Sequence, residues 1–407
     1  MIAQIEAPLG ARQLRVALCD YSGHPFQAQL SRELARRGHD LLHLHFAEFQ
    51  TPKGRLEREI GDPASFGVEA ISLGRSFSKH SLVRRRREEI EVGRRFARRV
   101  DGFAPDIVVG CNLPLDSLSE VIRETKAARR RFVFWQQDIY SIAIEKILKK
   151  KMGLPGLAIG RHYRHVEKRA LEKSDAVIVI SPDFRGVLAR EFGVDPERVH
   201  VVENWAPLDE ISPLSKHNEW SRARGFDEME VVLYSGTLGM KHNPALLLEL
   251  ARALEARDNA ILIVTSEGPA AAWLAREGRD CASLLVLPFQ PYAIYPQVLA
   301  SADVAVSILE PEAGVFSVPS KVLSYMCARR PIVLYAPPEN LASRMLEGAG
   351  AGQAVGDCGE LSRRVLALLD NPVARALAGA RGRTYAETHF GIRGIAEKFE
   401  RLFGAFD

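Results

Sequence analysis

The chain has 407 residues, of which 46% are hydrophobic and 26% are charged. At about 150 residues per domain this length predicts two to three domains, and the composition excludes a disordered, collagen-like or disulfide-scaffold protein. No apolar run approaches the ~18 residues of a membrane-spanning helix, and the first residues, MIAQIEAPLGARQ, lack the pattern of an export signal. The five cysteines include no CxxC pair, which predicts a reducing, cytoplasmic location without structural zinc.

The net charge of +4 is unevenly distributed along the chain. Residues 1–204 contain 35 basic and 27 acidic residues, a net charge of +8, whereas residues 205–407 contain 20 and 24, a net charge of −4. The first half contains four basic clusters, at residues 84–87, 94–99, 129–131 and 149–151. This asymmetry predicts that the N-terminal half faces a polyanion, either anionic lipid or nucleic acid. The alternative is a solvated helix face, because Glu88, Glu89 and Glu91 partly neutralise the largest cluster.

Apolar strand-like runs alternate with helix-length amphipathic stretches along almost the whole chain. The predicted strands lie at residues 14–20, 40–46, 105–111, 131–138, 174–182 and 199–205 in the first half, and at 231–236, 260–269, 283–291, 302–309 and 330–337 in the second. Such continuous apolar strands are typical of parallel sheets that are buried on both faces. Repeated strand–helix units therefore predict an α/β fold with one doubly wound parallel sheet in each half.

The domain boundaries follow from a change of composition. Residues 206–230 are polar and rich in proline and serine, which predicts a linker. We predict an N-terminal domain at 1–205, a C-terminal domain at 206–385, and an amphipathic C-terminal helix within 386–407. Two such domains are expected to face a cleft, where ligands commonly bind.

Four loops follow predicted strands at the carboxyl edge, where open α/β sheets bind ligands. They are Ser22–His24, Ser235–Pro244, Thr265–Pro269 and Ser317–Met326. Glycines there permit close backbone approach, and helix N-termini favour anions such as a diphosphate. Lys241 and Lys321 add cations suited to phosphates. The alternatives are ordinary turns, solvated lysines, and Ser320 acting only as a helix cap.

In the first half, Asp138 directly follows a predicted buried strand. A carboxylate in this position accepts hydrogen bonds from sugar hydroxyls or takes a proton, and the alternative is a cap for the following helix. The chain contains no Walker A, HExxH, GxSxG or GxGxxG motif, and the histidine spacing predicts no metal site. Aromatic residues do not alternate with the basic runs, so no nucleic-acid partner is predicted.

Three longer phrases occur in a characteristic order: WQQDIYS, SDAVIVISPDFRGVLAREFGVDPERVHVVENW, and LPFQPYAIYPQVLASADVAVSILEPEAGVFSVPSK. With the loops above, they make the chain resemble the retaining nucleotide-sugar glycosyltransferases of family 4, from about Leu14 to Phe406. The nearest branch is similar to the capsule, colanic-acid and O-antigen transferases. The resemblance implies a GT-B fold of two Rossmann-like domains, with a C-terminal helix that crosses back to the first domain.

The resemblance also implies individual roles. Gly23 is expected beside the donor diphosphate, and Lys241 and Lys321 at its phosphates. The turn at residues 267–268 is expected to line the donor site, and the backbone at 289–290 to read the nucleobase. The donor-binding residues predicted in this way are Gly23, Gly236, Thr237, Glu267, Gly268, Phe289, Gln290, Ser317, Pro319, Ser320 and Ser324.

The chain departs from the family pattern at several positions. Ser324 stands where a glutamate usually binds the donor ribose, and Thr237 where an arginine often accompanies the lysine. Phe316 falls at the position of a further glutamate, for which Glu310 or Glu312 is the alternative. A glycine usual near Arg329 is also missing.

The function implied is retaining transfer from a nucleoside diphosphate sugar, with a UDP-sugar favoured over a GDP-sugar, without metal or cofactor. Lys241, Lys321 and Asp138 are the predicted catalytic residues, and the acceptor is a polyprenyl-diphosphate-linked saccharide of a bacterial cell-surface polysaccharide. The basic N-terminal domain is expected to dock on the inner face of the cytoplasmic membrane. The alternatives are a nucleotide-sugar epimerase of the same fold and a non-catalytic nucleotide-sugar-binding partner subunit.

Overall fold

A computed structural model describes residues 12–49, 51, 53–77, 82–239, 242–311 and 318–406, without the side chains of residues 82 and 358. The chain divides into two compact units. Unit 1 comprises Met1–Glu203 with Ile392–Asp407, and unit 2 comprises Asn204–Gly391.

Unit 1 contains a seven-stranded parallel sheet within the described residues, in the order β3-β2-β1-β4-β5-β6-β7. Its strands are β1 (Arg15–Asp20), β2 (Asp40–Phe46), β3 (Phe66–Ile71), β4 (Ile107–Cys111), β5 (Arg131–Gln136), β6 (Ala176–Val179) and β7 (Val199–Val201). The strand order reverses between β1 and β4, where Ala17 pairs with Val108. Loops that follow these two strands therefore diverge at a topological switch point.

Helices connect the strands of unit 1. They are α1 (Pro25–Arg36), α2 (Leu82–Phe103), α3 (Leu115–Ala127), α4 (Tyr140–Met152), α5 (Leu154–Lys173) and α6 (Pro182–Phe192). β4 and the inner part of β1 are buried along their whole length. This accounts for their continuous apolar sequence, since both faces of the sheet are covered.

Unit 2 contains a six-stranded parallel sheet within the described residues, in the order β10-β9-β8-β11-β12-β13. Its strands are β8 (Glu230–Ser235), β9 (Ala260–Thr265), β10 (Leu284–Leu287), β11 (Val304–Ile308), β12 (Ile332–Tyr335) and β13 (Gly352–Val355). The order reverses between β8 and β11, where Leu233 pairs with Ala305. The predicted α/β fold with two doubly wound parallel sheets is therefore confirmed.

The helices of unit 2 are α7 (Glu219–Arg222), α8 (Pro244–Leu254), α9 (Pro269–Glu277), α10 (Tyr295–Ala300), α11 (Lys321–Cys327), α12 (Leu341–Ala349), α13 (Cys358–Leu369) and α14 (Pro372–His389). A core of leucine, isoleucine and valine side chains lies between the sheet and α8 and α13. The segment at residues 206–230, predicted as a linker, packs within unit 2. Its Trp220 and Phe226 are buried, and Asn218 forms a capping box with Ser221 at the start of α7.

The C-terminal segment forms two helices rather than the single helix predicted. α14 ends at His389, and α15 (Ile392–Gly404) belongs to unit 1. The Phe399 ring packs edge-on against Trp135 at a centroid distance of 5.1 Å. Glu400 accepts two hydrogen bonds from Arg37, of 2.9 and 2.7 Å. None of the helices in the described part of the chain is long and apolar enough to cross a bilayer.

Candidate functional site

In unit 2 the candidate site lies where β8 and β9 end. Gly236 follows β8 with φ +131°, a backbone conformation that only glycine adopts readily. Its N–H donates to the Thr265 carbonyl at 3.0 Å. A Cβ on Gly236 would lie 3.2 Å from Cε and 3.5 Å from Nζ of Lys321. The absence of a side chain here therefore leaves room for the lysine.

Lys321 is held in place by Tyr234. Its ammonium group donates to the Tyr234 hydroxyl at 2.5 Å and lies 3.9 Å from the centre of the ring. The same hydroxyl donates to the Thr237 carbonyl at 2.9 Å. The structure thus brings Lys321, Gly236 and Thr237 together, with Lys321 half-buried and Thr237 exposed. A partly desolvated cation with fixed geometry is suited to binding an anionic group.

Hydroxyl groups fix α11 against the end of β8. The Tyr325 hydroxyl accepts the Ser235 N–H at 2.9 Å. Desolvation raises the pKa of Tyr295 to about 12, while hydrogen bonds with Ser235 and Ser324 oppose the rise. Ser324, at the position of the family's ribose-binding glutamate, is buried.

Ser320 occupies the N-cap position of α11, but its side chain accepts no cap hydrogen bond. The purely structural interpretation of Ser320 as a helix cap is therefore not realised. Pro319 is buried one residue earlier. Ser317 and Lys241, two of the predicted phosphate-binding residues, lie outside the described residues, as do Glu312 and Phe316.

The turn after β9 contains the exposed Glu267 and Gly268. Glu267 accepts the backbone N–H of Phe289 at 3.2 Å. The Gln290 side chain accepts from Trp220 Nε1 at 3.1 Å and donates to the Pro288 carbonyl at 3.0 Å. The side chains of Glu267 and Gln290 thus set the position of this backbone segment, where the resemblance places the nucleobase contact.

In unit 1 the corresponding edge is more closed. Gly23 follows β1 with φ +70°, and a Cβ there would lie 2.8 Å from Leu56 Cδ1 and 3.2 Å from Lys53 Nζ. Lys53 donates to the Ser22 carbonyl at 3.1 Å and to the Phe46 carbonyl at 2.9 Å. Sequence reasoning missed Lys53, because no motif links it to the glycine loop about 30 residues earlier.

Asp20, the last residue of β1, is buried beside two histidines of β2. Its carboxylate accepts from the Ser22 N–H at 3.0 Å and from Asn112 at 3.2 Å. Burial raises the pKa of Asp20 to about 7, although these hydrogen bonds oppose the rise. Burial lowers the pKa of His43 to about 3 and that of His45 to about 4. The second Asp20 oxygen lies 4.0 Å from His43 Nε2.

Asp138 is half-buried in the turn between β5 and α4. The N-cap residue of α4 is Ile139. Asp138 therefore lies one residue before the N-cap position of α4. The buried Glu167 of α5 accepts the N–H groups of Tyr140 at 3.2 Å and Ser141 at 3.0 Å. The sequence reading missed Glu167, because its capping role requires contact between two helices.

The largest basic cluster is mostly neutralised within unit 1. Arg84 pairs with the buried Glu88 at 2.8 Å, and Arg85 with the buried Glu89 at 2.7 Å. Arg86 lies 3.4 Å from Asp116. Among the described residues, one group of three side chains has the spacing of metal ligands, and it lies in unit 2 shortly before β8, at His217, Asp227 and Glu228.

Comparisons with known proteins agree with this architecture. Residues 26–210, slightly less than half of the chain, match the family model described as Glycosyltransferase Family 4. No curated protein sequence matches the chain significantly. Many solved structures share the fold.

The sucrose-phosphate synthase from Thermosynechococcus elongatus is 15% identical with a TM-score of 0.72, and the match covers 97% of this chain and 99% of that one. The Anabaena protein HepE in complex with UDP is 15% identical with a TM-score of 0.67, covering 96% and 100%. WaaG, a glycosyltransferase involved in lipopolysaccharide biosynthesis, is 16% identical with a TM-score of 0.68, covering 95% and 99%. The chain has the GT-B fold, and the family match supports a glycosyltransferase.

Proposed function

We propose that this protein is a retaining, metal-independent glycosyltransferase that uses a nucleoside diphosphate sugar. The observation that carries the proposal is the half-buried Lys321, positioned by Tyr234 against the side-chain-free Gly236. Transfer of the sugar leaves a nucleoside diphosphate with increased negative charge. A preorganised cation at that charge stabilises the transition state, and loss of one such contact costs about 10²–10³ in rate in comparable sites.

The donor and the acceptor are proposed from the chemistry of the fold neighbours. HepE has been crystallised with UDP and with UDP-glucose, which favours a UDP-sugar over a GDP-sugar. The role of WaaG in lipopolysaccharide biosynthesis favours an acceptor in cell-surface polysaccharide synthesis. The sequence resemblance to capsule and O-antigen transferases favours a polyprenyl-diphosphate-linked saccharide. Residues 206–385 would bind the donor and residues 1–205 the acceptor, in the cytoplasm beside the inner face of the membrane.

In the proposed reaction the bond from the anomeric carbon to the diphosphate oxygen breaks and a bond to the acceptor oxygen forms on the same face of the sugar. The acceptor proton passes to the departing phosphate oxygen. Lys321 and Lys241 stabilise the diphosphate electrostatically, with no metal ion required. Asp138, one residue before the N-cap position of α4, orients sugar hydroxyls.

The remaining predicted donor contacts keep their proposed roles around this pair of lysines. The backbone at 236–237 and the loop at 317–320 bind the diphosphate, and Gly23 keeps its predicted role as a diphosphate contact. The turn at 267–268 and the segment at 289–290 surround the nucleoside. Because a short, buried serine, Ser324, replaces the family's ribose-binding glutamate, the ribose contact is the weakest part of the proposed site.

The first test is a metal-free thermal melting panel of UDP, GDP, TDP and their sugars on the full chain. Ligand at about 100 times its dissociation constant stabilises the folded state by about 2.7 kcal/mol, a shift that is easily measured. We expect one nucleobase to stand out, with the shift reduced in Lys321→Ala and in Lys241→Ala but retained in the exposed control Lys168→Ala. No shift with any nucleotide contradicts the proposal.

Turnover then separates the enzyme from the alternatives. We expect sugar transfer from the selected donor to a lipid-linked saccharide in the absence of metal, with retention at the anomeric carbon by NMR. Conversion of the donor into a second nucleotide sugar without acceptor would indicate an epimerase. Binding without either reaction would indicate a non-catalytic partner subunit.

A further inference from the structure

The helical hairpin formed by α4 and α5 carries a surface that the proposed reaction does not use. Five residues surround its turn, and we call them the hairpin tip: Lys149, Lys150, Lys151, Met152 and Leu154. All five are exposed, Met152 to 43% and Leu154 to 82%. In the described part of the chain, the ion pairs of this hairpin are made by Arg164 and Lys168, and none of the three lysines has an acidic partner within 4.0 Å.

The hairpin below the tip is closely packed. A Cβ on Gly156 would lie 2.0 Å from the Leu148 carbonyl oxygen, and one on Gly160 would lie 2.6 Å from the Glu145 Cα. The two helix backbones therefore approach each other as only glycine allows. Farther down, Glu167 of α5 accepts the first N–H groups of α4. The tip is thus presented by a packed pair of helices and not by a loose loop.

We propose that the hairpin tip docks the protein on a lipid surface that contains anionic headgroups. Lysines are attracted to such a surface within a Debye length of about 8 Å. Met152 and Leu154 lie directly beside the lysines, where they can enter the boundary between headgroups and acyl chains. This combination of cations and exposed apolar side chains fits a membrane better than nucleic acid. A nucleic-acid backbone gives no partner to the two apolar side chains, and the tip has no aromatic ring for stacking.

This assignment differs from the one drawn from sequence, which placed docking on the whole basic N-terminal half. The charges of Arg84, Arg85 and Arg86 are directed to carboxylates of unit 1. The charges of the hairpin tip are not compensated in this way. The local pattern of pairing, and not the net charge, thus selects the docking surface.

Co-sedimentation of the full chain with vesicles tests the proposal. We expect binding to phosphatidylcholine vesicles that contain phosphatidylglycerol, and little binding to phosphatidylcholine alone. At about 1 kcal/mol per basic residue near the surface, each lysine contributes about fivefold. The variant Lys149→Ser/Lys150→Ser/Lys151→Ser should therefore lower partitioning about a hundredfold. Leu154→Asp should lower partitioning even at high salt, because the apolar contact that Leu154 makes with the lipid is not screened by salt.

Matched controls lie in unit 2. Arg276→Ser/Arg279→Ser/Arg363→Ser removes the same charge from exposed positions, and Val373→Asp changes an apolar side chain exposed to 78%. Both controls should bind vesicles like the wild type. All variants should show the same nucleotide-induced melting shift as the wild type, because none of them changes the proposed donor site. The vesicle test itself does not depend on the transfer reaction.

Three results overturn the proposal. The first is a wild-type chain that does not bind anionic vesicles, and the second is unchanged partitioning of the lysine and Leu154 variants. The third is a set of tip variants that no longer bind duplex DNA or RNA but still bind vesicles. That result would identify nucleic acid as the partner.

Discussion

The carboxyl edges of the two sheets share a topology and differ in chemistry. In unit 2 the edge carries a half-buried cation, Lys321, beside a strand-end glycine and several hydroxyl groups. In unit 1 the edge carries the buried Asp20 next to neutral histidines, and Lys53 and Leu56 cover the glycine loop. A doubly wound sheet therefore decides where loops meet, whereas side chains decide what those loops can bind.

The difference has an electrostatic cause. Lys321 donates to the neutral hydroxyl of Tyr234 beside the strand-end Gly236. Lys53 donates its hydrogen bonds to backbone carbonyls of its own unit and closes the loop after β1. We therefore expect the edge of unit 2 to govern nucleotide binding and the edge of unit 1 to govern local stability.

The largest expected effect is on Lys321. Lys321→Ala should lower the rate of sugar transfer about 10²–10³-fold, because it removes a preorganised charge from the leaving diphosphate. Its melting temperature without ligand should stay near the wild-type value, since the side chain is only half-buried. Steady-state kinetics with the selected donor measure the loss. A rate within a factor of two of the wild type would contradict the role, and Lys321→Arg should recover part of the activity.

The two strand-end glycines provide a direct comparison. Gly236→Ala places a methyl group 3.2 Å from Lys321 Cε at a strained φ, so we expect about tenfold weaker nucleotide binding and a strain of about 1–3 kcal/mol. Gly23→Ala meets Leu56 at 2.8 Å, so we expect a lower melting temperature and a smaller loss of affinity than in Gly236→Ala. Calorimetric titration of both variants with the nucleotide separates the effects. Unchanged affinity in Gly23→Ala would contradict its proposed contact with the diphosphate.

The buried acid of unit 1 should make stability depend on pH. The folded-state pKa of Asp20, about 7, is above the ~3.9 of an unfolded aspartate, so its stabilising contribution is complete below about pH 4 and is lost as the pH rises through 7. Asp20→Asn lacks this titration, so its free energy of unfolding should not show the fall expected for the wild type. The difference between the two should grow in favour of Asp20→Asn by about 1.4 kcal/mol per pH unit between about pH 4 and 7. Denaturant unfolding from pH 4 to 8 tests this. A difference that does not change with pH would contradict it.

The smallest expected effect concerns Arg329, which ends α11 with φ +59°. An L-residue pays about 1–2 kcal/mol for this left-handed conformation, which glycine adopts freely. Arg329→Gly should therefore raise the free energy of unfolding by about 0.5–1 kcal/mol. Arg276→Gly, in the last turn of α9, should lower it by a similar amount. If Arg329→Gly is less stable than the wild type, the exposed arginine side chain stabilises the fold by more than the backbone strain costs.

Central and edge strands differed in how well they were predicted. The buried strands β1, β4, β8 and β9 appear in the sequence as continuous apolar runs, and each was predicted. Of the four edge strands, β7 and β10 were predicted, and β3 and β13 were missed. Their sequences, FGVEAI and GQAV, are mostly half-buried. A strand paired on one side needs no continuous apolar run, so these two lacked the signal that identified the others.

Candidate site residues were predictable only as positions along the chain. Strand-end glycines and lysines indicated the loops that contain Gly236 and Lys321. The partners were not predictable, because Tyr234 meets Lys321 across 87 residues of sequence and Glu167 caps a different helix. The helix-cap interpretation of Ser320 was reasonable from local sequence and is not realised in the structure. Asp138 lies one residue before the N-cap position of α4.

The sequence by itself determined the doubly wound parallel architecture of each half, because burial of a parallel strand on both faces requires an apolar run that is visible along the chain. It also determined which loops lie at the strand ends. Only the tertiary structure decided which groups each charge contacts, since pairing and burial depend on neighbours that are distant in sequence. Arg84 to Arg86 are directed to acidic groups, whereas Lys321 is held by a hydroxyl and the lysines of the hairpin tip project outward.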